Sequence, residues 1–322
     1  MELFDWGIFF VLVPILLYID LNFFHKGDDK VIGFKQSLIL SAWYIVAGLA
    51  FGILVWYHFG PDRAFNYYTA YVLEKCLSLD NLFVMSVIFS AFAIPRKYQH
   101  RVLVWGIIGV VMLRGIMIGA GATLVHRFDW VLYIFAVVLI FTGVKMLFMD
   151  DDDDLDNFEQ KPLVVFLKKH FAFTSKIHGN KFFVHKSEIQ DEEKQHGKSA
   201  YIATPLFLAL IVIEISDVIF AVDSIPAALS VTTDTFVVFT SNIFAVLGLR
   251  ALFFAVENVI DRFEAMKYAL SIVLCFIGFK VFYNGMFGHI SPATSLTVTL
   301  GVLAAGVVFS LIKTSTEKTE DS

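Results

Sequence analysis

Apolar runs long enough to cross a membrane recur along the whole chain. An α-helix rises 1.5 Å per residue, so about 18 to 25 apolar residues span the hydrocarbon core of a bilayer. Nine such runs predict nine transmembrane helices and an all-α polytopic membrane protein. Their approximate limits are 6–24, 37–59, 68–93, 102–124, 130–149, 202–224, 236–256, 268–286 and 293–312.

The composition agrees with a membrane protein. Hydrophobic residues make up 57% of the chain and the mean hydropathy is +0.71, whereas soluble domains are about 45 to 50% apolar. Acidic rather than basic residues, Glu2 and Asp5, precede the first run, and no small-residue cleavage site follows it, so we expect a retained helix rather than a signal peptide. The only cysteines, Cys76 and Cys275, form no CxxC pair. No basic aromatic surface indicates nucleic-acid binding.

Basic residues between the predicted helices indicate the orientation. The odd-numbered connections and the carboxyl-terminal tail carry eighteen Lys and Arg residues, and the even-numbered connections carry only Arg63 and Arg127. Without the eight lysines of the long 150–201 connection the ratio is still ten to two. Because cytoplasmic loops are enriched in Lys and Arg, we expect the amino terminus outside and the carboxyl terminus in the cytoplasm.

Two parts of the chain resemble each other at an offset of 135 to 137 residues. "LDNLF" at 79–83 matches "SDVIF" at 216–220, and "TGVK" at 142–145 matches "IGFK" at 277–280. Each unit has three spans, an odd number, so the two repeats should be inverted, as in many secondary transporters. An offset of 143 is an alternative register, and a duplicated structural bundle is an alternative explanation. The predicted parts are two amino-terminal helices (1–66), the first repeat (67–149), a cytoplasmic loop (150–201), the second repeat (202–288), and the last helix with its tail (289–322).

Acidic residues interrupt the first helix of each repeat. An acidic residue at the centre of a span opposes insertion by roughly 2.5 to 3.5 kcal/mol, so three uncompensated acids in 212–229 would oppose it by roughly 8 kcal/mol. Pro226 lacks an N–H, so it leaves the Val222 carbonyl without a helical donor and should bend the chain beside Asp223. The candidate cation ligands are Glu74, Asp80, Asn81, Glu214, Asp217, Asp223 and Ser224.

These candidate ligands are all oxygen donors. Oxygen donors suit Mg²⁺, Ca²⁺ or Mn²⁺, whereas zinc sites are usually rich in His or Cys. The competing interpretation is buried ion pairing, because charges within membranes pair with one another. The candidate charge-balancing residues are Lys75, Arg114 and Arg250.

Other polar features give weaker signals. Asp20 could line an entrance or reach the membrane interface, and the Asp150–Asp154 run is more typical of a solvated charge cluster than of a cation sensor. The histidines of the 150–201 loop lack metal-ligand spacing. Without a nucleophile–base pair or an HExxH motif, we do not expect an enzyme.

Two longer motifs resemble a known family. "EKCLSLDNLFV" at 74–84 and "EISDVIFAVDSIPA" at 214–227 resemble the signature segments of the TerC family of integral membrane proteins, and the chain is most similar to its bacterial Alx branch. The resemblance implies a multi-pass protein of the bacterial inner membrane, related to LysE-type exporters and linked to manganese export. It also implies that the acidic positions listed above are the signature carboxylates.

Two functions follow as hypotheses. The first is Mn²⁺ export by alternating access, with Mn²⁺ as substrate, protons as a coupling ion and no tightly bound cofactor. The second is a membrane assembly or scaffolding protein that acts with the secretion machinery through the 150–201 loop. Deleting most of that loop should abolish function under the second hypothesis and spare transport under the first.

Overall fold

The structure, a computed structural model, describes residues 2–23, 34–128, 130–148, 174, 176–186, 201–256 and 266–320. The regular elements of the described chain are helices and two short strands, which confirms the all-α class. The helices are α1 (Glu2–Phe23), α2 (Phe34–Phe59), α3 (Pro61–Ala91), α4 (Arg96–Arg127), α5 (Val131–Phe148), α6 (Pro205–Val231), α7 (Thr235–Leu247), α8 (Leu249–Val256), α9 (Met266–Met286) and α10 (Pro292–Glu320).

The predicted spans are helical, and most are long and apolar enough to cross a bilayer. By length and composition, seven helical segments of the described chain can cross a membrane. The two other predicted spans are also helical, but the apolar part of α1 is short, Phe4–Ile19, and α3 carries Glu74, Lys75 and Asp80 within seven residues. The multi-pass membrane class is therefore confirmed.

The outer face of the bundle is apolar. Large hydrophobic side chains such as Phe10, Ile53 and Phe141 are exposed there. A soluble monomer rarely exposes such an extensive apolar surface, whereas lipid tails solvate it favourably.

The span formed by α7 and α8 lies at the centre of the bundle. In this span 89% of the apolar segment is buried, against 22 to 44% for the six others. The sequence predicts one helix over 236–256, but the structure has two helices that meet at Gly248. A Cβ on Gly248 would lie 3.0 Å from Lys75 Nζ, so a small residue lets α3 approach this junction.

A single residue, Gly60, connects α2 to α3. Its φ of +87° lies in the region that favours glycine. Tyr67 Oη then donates to the Gly48 carbonyl at 2.9 Å, and Tyr68 Oη donates to the Leu49 carbonyl at 3.0 Å. These bonds fix α3, the helix with the charged segment, against α2.

The short strands β1 (Phe183–His185) and β2 (Tyr201–Ala203) form an antiparallel pair in the long connection before α6, with Phe183 opposite Ala203. Thr204 Oγ1 donates to the Lys181 carbonyl at 2.8 Å. The pair therefore fixes the start of α6.

Helices α5 and α9 pack through equivalent glycines. A Cβ on Gly143 would lie 2.8 Å from the Ser271 carbonyl oxygen, and a Cβ on Gly278 would lie 2.8 Å from the Ala136 carbonyl oxygen. Adding 135 to 136 and 143 gives 271 and 278, so the two contacts exchange under the repeat offset. Because the contact positions rise on α5 as they fall on α9, the two helices are antiparallel.

Candidate functional site

Arg114 lies at the centre of a buried charged cluster. Its side chain is 1% exposed, and it pairs with Glu74 on α3 and Asp217 on α6. Arg114 Nε donates to Asp217 Oδ2 at 2.9 Å and Nη2 donates to Asp217 Oδ1 at 2.6 Å. Nη1 donates to Glu74 Oε1. A planar guanidinium suits this double recognition because its donors have a fixed fork geometry.

Two amide side chains complete the cluster. Asn242 on α7 donates to Glu74 Oε2 at 2.8 Å and accepts from Arg114 Nη1 at 3.1 Å. Asn81 on α3 donates to Asp217 Oδ1 at 3.2 Å. We call these five residues the Arg114 cluster, and they come from four different helices. Two carboxylates and one guanidinium give the cluster a formal charge of −1.

Burial makes these bonds strong and their loss unfavourable. Intramembrane charges usually face the bundle interior and pair with one another, as Glu74 and Asp217 pair with Arg114 here. The expected ion pairing therefore exists in this conformation for these two acids. Metal binding by the same carboxylates stays a prediction.

Glu214 lies one helical turn before Asp217 on α6. Both of its carboxylate oxygens are buried and have no hydrogen-bond partner within the described chain. The carboxylate lies against Gly109 on α4, where an added Cβ would be 2.6 Å from Oε2. Because Gly109 has no side chain, this position leaves space for the Glu214 carboxylate.

A small cavity adjoins the Arg114 cluster between α3 and α6. It is lined by Asn81, Met85 and Ile88 on α3 and by Ser216 and Asp217 on α6. Asn81 is 4% exposed, and its Oδ1 has no hydrogen-bond partner among the described residues. The cavity offers about the room that one water molecule needs.

The structure places Asp223 and Ser224 away from Arg114. Asp223 Oδ1 accepts a bond from Thr142 Oγ1 on α5 at 3.1 Å. Ser224 is buried, and its Oγ has no partner within the part of the chain that is described. The expected bend does not end the helix, because α6 continues through Pro226 to Val231.

The predicted charge-balancing residues have different surroundings. Arg114 contacts two predicted ligands, as described above. Lys75 Nζ donates to the Ala245 carbonyl on α7 at 2.8 Å. Arg250 is 2% exposed and its Nη1 contacts His100 Nε2 on α4.

Some predicted features lie outside the described residues. These include the side chains of Asp20 and Asp80, the Asp150–Asp154 run and most of the 150–201 loop. Among the residues that are described, no group of three or more His, Cys, Asp or Glu side chains is arranged to hold a metal ion.

Sequence reasoning did not identify Asn242 or Gly109 as site residues. Asn242 lies in "TSNIFAVLGLRALFF" at 240–254, where an amide within an apolar run was an available signal. Gly109 gave no such signal, since glycines are frequent in membrane helices. Only the contact with Glu214 distinguishes it.

Together, the fold and the Arg114 cluster define a polytopic membrane protein with a buried polar site between its helices. Residues 59–321 match the family described as "Integral membrane protein TerC family". The chain therefore belongs to the TerC family, as its motifs predicted.

Curated relatives match over nearly their full lengths. A protein of Rickettsia bellii (strain RML369-C), described as an uncharacterised membrane protein, is 44% identical over 96% of this chain and 97% of its own. Relatives from Photorhabdus laumondii and Escherichia coli (strain K12) are described as candidate membrane-bound redox modulators, Alx. The Photorhabdus protein is 40% identical over 98% of this chain and 97% of its own, and the E. coli protein is 42% identical over 92% and 91%. No solved structure matches the chain.

Proposed function

We propose that this protein is a divalent-cation exporter of the bacterial inner membrane, with Mn²⁺ as its substrate. The observation that carries the proposal is the buried, net negative Arg114 cluster beside a cavity and the unpartnered oxygens of Asn81 and Glu214. Carboxylate and amide oxygens are ligands that Mn²⁺ accepts. An intramembrane charged site of this kind is typical of an ion pathway.

The charges of the site favour a cation over an anion. Glu74 and Asp217 carry two negative charges, of which Arg114 neutralises one. The remaining negative charge attracts a cation. A guanidinium already bound to Asp217 also offers an exchangeable positive charge when the substrate is absent.

Alternating access is the transport mechanism that we propose. The equivalent contacts of Gly143 and Gly278 support an inverted relation between the two predicted repeats. Inverted repeats move against each other around a site near the middle of the membrane. The Arg114 cluster joins α3 and α6, the first helices of the two repeats.

The relatives' description as redox modulators suggests a different chemistry. The two cysteines give redox chemistry little support. Cys76 lies on α3 and Cys275 lies on α9, and they form no disulfide. The cation proposal uses the buried acids instead.

The proposed orientation has the amino terminus outside and the carboxyl terminus in the cytoplasm. Its support is the distribution of Lys and Arg between the connections. Reporter domains fused after residue 60 and after residue 322 would test it. The first fusion should be active outside the inner membrane and the second in the cytoplasm, and the reverse pattern would contradict the proposed direction of transport.

Flux of radiolabelled Mn²⁺ into and out of proteoliposomes tests the transport proposal. We expect wild-type flux, a strong response to a pH gradient if protons are the coupling ion, and loss of flux in Asp217→Asn. Asp62→Asn is the matched control, because Asp62 is exposed at the start of α3. Absence of flux in folded wild-type protein, or equal flux in the two variants, would contradict the proposal.

A further inference from the structure

The two sides of the Asn81–Asp217 contact are built differently. Asn81 and Glu74 are two helical turns apart on one face of α3, a separation of about 10 Å along the axis. Glu74 lies on the amino-terminal side of Asn81, where Arg114 and Asn242 bind it. The cavity extends in the other direction, because Met85 and Ile88 follow Asn81 along α3.

Polar bonds close the amino-terminal side. Arg114 joins Glu74 of α3 to Asp217 of α6, and Asn242 adds α7 to the same network. These side chains are almost completely buried. Four helices are therefore tied together between the Asn81–Asp217 contact and the amino-terminal end of α3.

The other side is lined by apolar side chains and by an unpartnered oxygen. Met85 and Ile88 line the cavity beyond Asn81, whose Oδ1 has no hydrogen-bond partner among the described residues. Beyond the Asn81–Asp217 hydrogen bond, apolar packing joins α3 to α6 on this side. A buried amide oxygen without a partner is also a ready ligand for a cation or a water molecule.

We infer that the cation reaches Asn81 and Asp217 through the cavity from the carboxyl-terminal end of α3, and that Arg114 is the gate closing the path beyond them. This inference rests on the proposed transport function. The connection after α3 carries Arg96, Lys97 and Arg101, so the predicted orientation makes this the cytoplasmic side. An exporter must collect its substrate from that side.

Cation binding at this position would weaken the gate. Arg114 donates to both carboxylate oxygens of Asp217. A cation that arrives at Asn81 competes with the guanidinium for these oxygens and repels its positive charge. Loss of the Arg114–Asp217 bonds removes the charged link between α6 and α4, so occupancy of the site favours opening toward the other side.

Thiol labelling from each side of the membrane tests the access path. The background carries Cys76→Ala and Cys275→Ala, and one new cysteine is introduced as Ser216→Cys in the cavity. The matched control is Ala70→Cys, one helical turn before Glu74 on the same helix. A membrane-impermeant thiol reagent is applied to right-side-out and inside-out vesicles.

We expect Ser216→Cys to be labelled only from the face at the carboxyl-terminal end of α3, and Ala70→Cys to resist labelling from that face. Adding Arg114→Gln should allow labelling of Ser216→Cys from both faces and labelling of Ala70→Cys from the face at the carboxyl-terminal end of α3. If that variant does not accumulate, Glu74→Gln releases the other end of the gate. Labelling of Ser216→Cys from the opposite face, from neither face, or with unchanged one-sidedness in both gate variants would overturn the inference.

Mn²⁺ separates the two proposals. Slower labelling of Ser216→Cys in the presence of Mn²⁺ would support both the access path and the substrate. One-sided labelling that Mn²⁺ leaves unchanged would keep the path and the gate but contradict the proposed substrate.

Discussion

Arg114 and Asp217 are 103 positions apart in the sequence, yet Arg114 donates to both carboxylate oxygens of Asp217. The same guanidinium also pairs with Glu74. This arrangement gives a net negative site whose positive charge is part of the protein. It links the stability of the bundle to the chemistry of the site.

The Arg114 cluster should contribute strongly to stability. Arg114→Leu leaves two buried carboxylates without their cation, which should cost about 3 to 5 kcal/mol. Thermal and denaturant unfolding in detergent micelles would measure the loss. Arg63→Leu is the control, because the Arg63–Asp234 pair is partly exposed and should contribute at most about 1 kcal/mol. Similar losses in the two variants would contradict a central role for Arg114.

Asn242 should orient the Glu74 carboxylate. Asn242→Leu removes its bonds to Glu74 and Arg114, and should destabilise the protein by about 1 to 3 kcal/mol while reducing Mn²⁺ flux. Thr240→Val on the same helix is the control, since Thr240 Oγ1 bonds only to carbonyls of its own helix among the contacts described. The interpretation fails if Thr240→Val has the larger effect on flux.

Gly109 should be required for the position of Glu214. In Gly109→Ala the new methyl group would lie against the Glu214 carboxylate, so overpacking should cost about 1 to 3 kcal/mol and change the apparent affinity for Mn²⁺. Gly119→Ala on the same helix has open space around its Cβ. That control should be neutral or stabilising by up to about 1 kcal/mol, because alanine has the better helix propensity.

Equivalent glycines of α5 and α9 should respond alike to substitution. Gly143→Ala and Gly278→Ala each place a methyl group against a carbonyl of the facing helix, and each should destabilise the bundle by about 1 to 3 kcal/mol. Gly301→Ala on α10, where the new methyl meets open space, should have little effect. Unfolding measurements that affect one of the pair and spare the other would argue against the equivalence.

The spans and the acidic candidates were predictable because each depends on local features. Long apolar runs defined the helices, and Glu74 and Asp217 stood out as charges inside them. Asp223 was predicted as a ligand together with Asp217, but the sequence did not indicate which helix it meets, and the structure bonds it to Thr142 on α5. Asn242 was missed because a single amide in an apolar run does not reveal which helix faces it.

The sequence by itself determined the membrane class, the helices and the identity of the charged residues, because transfer into a bilayer depends on local hydrophobicity. Only the tertiary structure decided which charges meet. Arg114 forms ion pairs with Glu74 and Asp217, whereas Lys75 donates a hydrogen bond to the Ala245 carbonyl. The reason is that pairing between buried charges depends on helix packing and rotation, which are set by side-chain contacts between distant segments rather than by the hydrophobicity of any one of them.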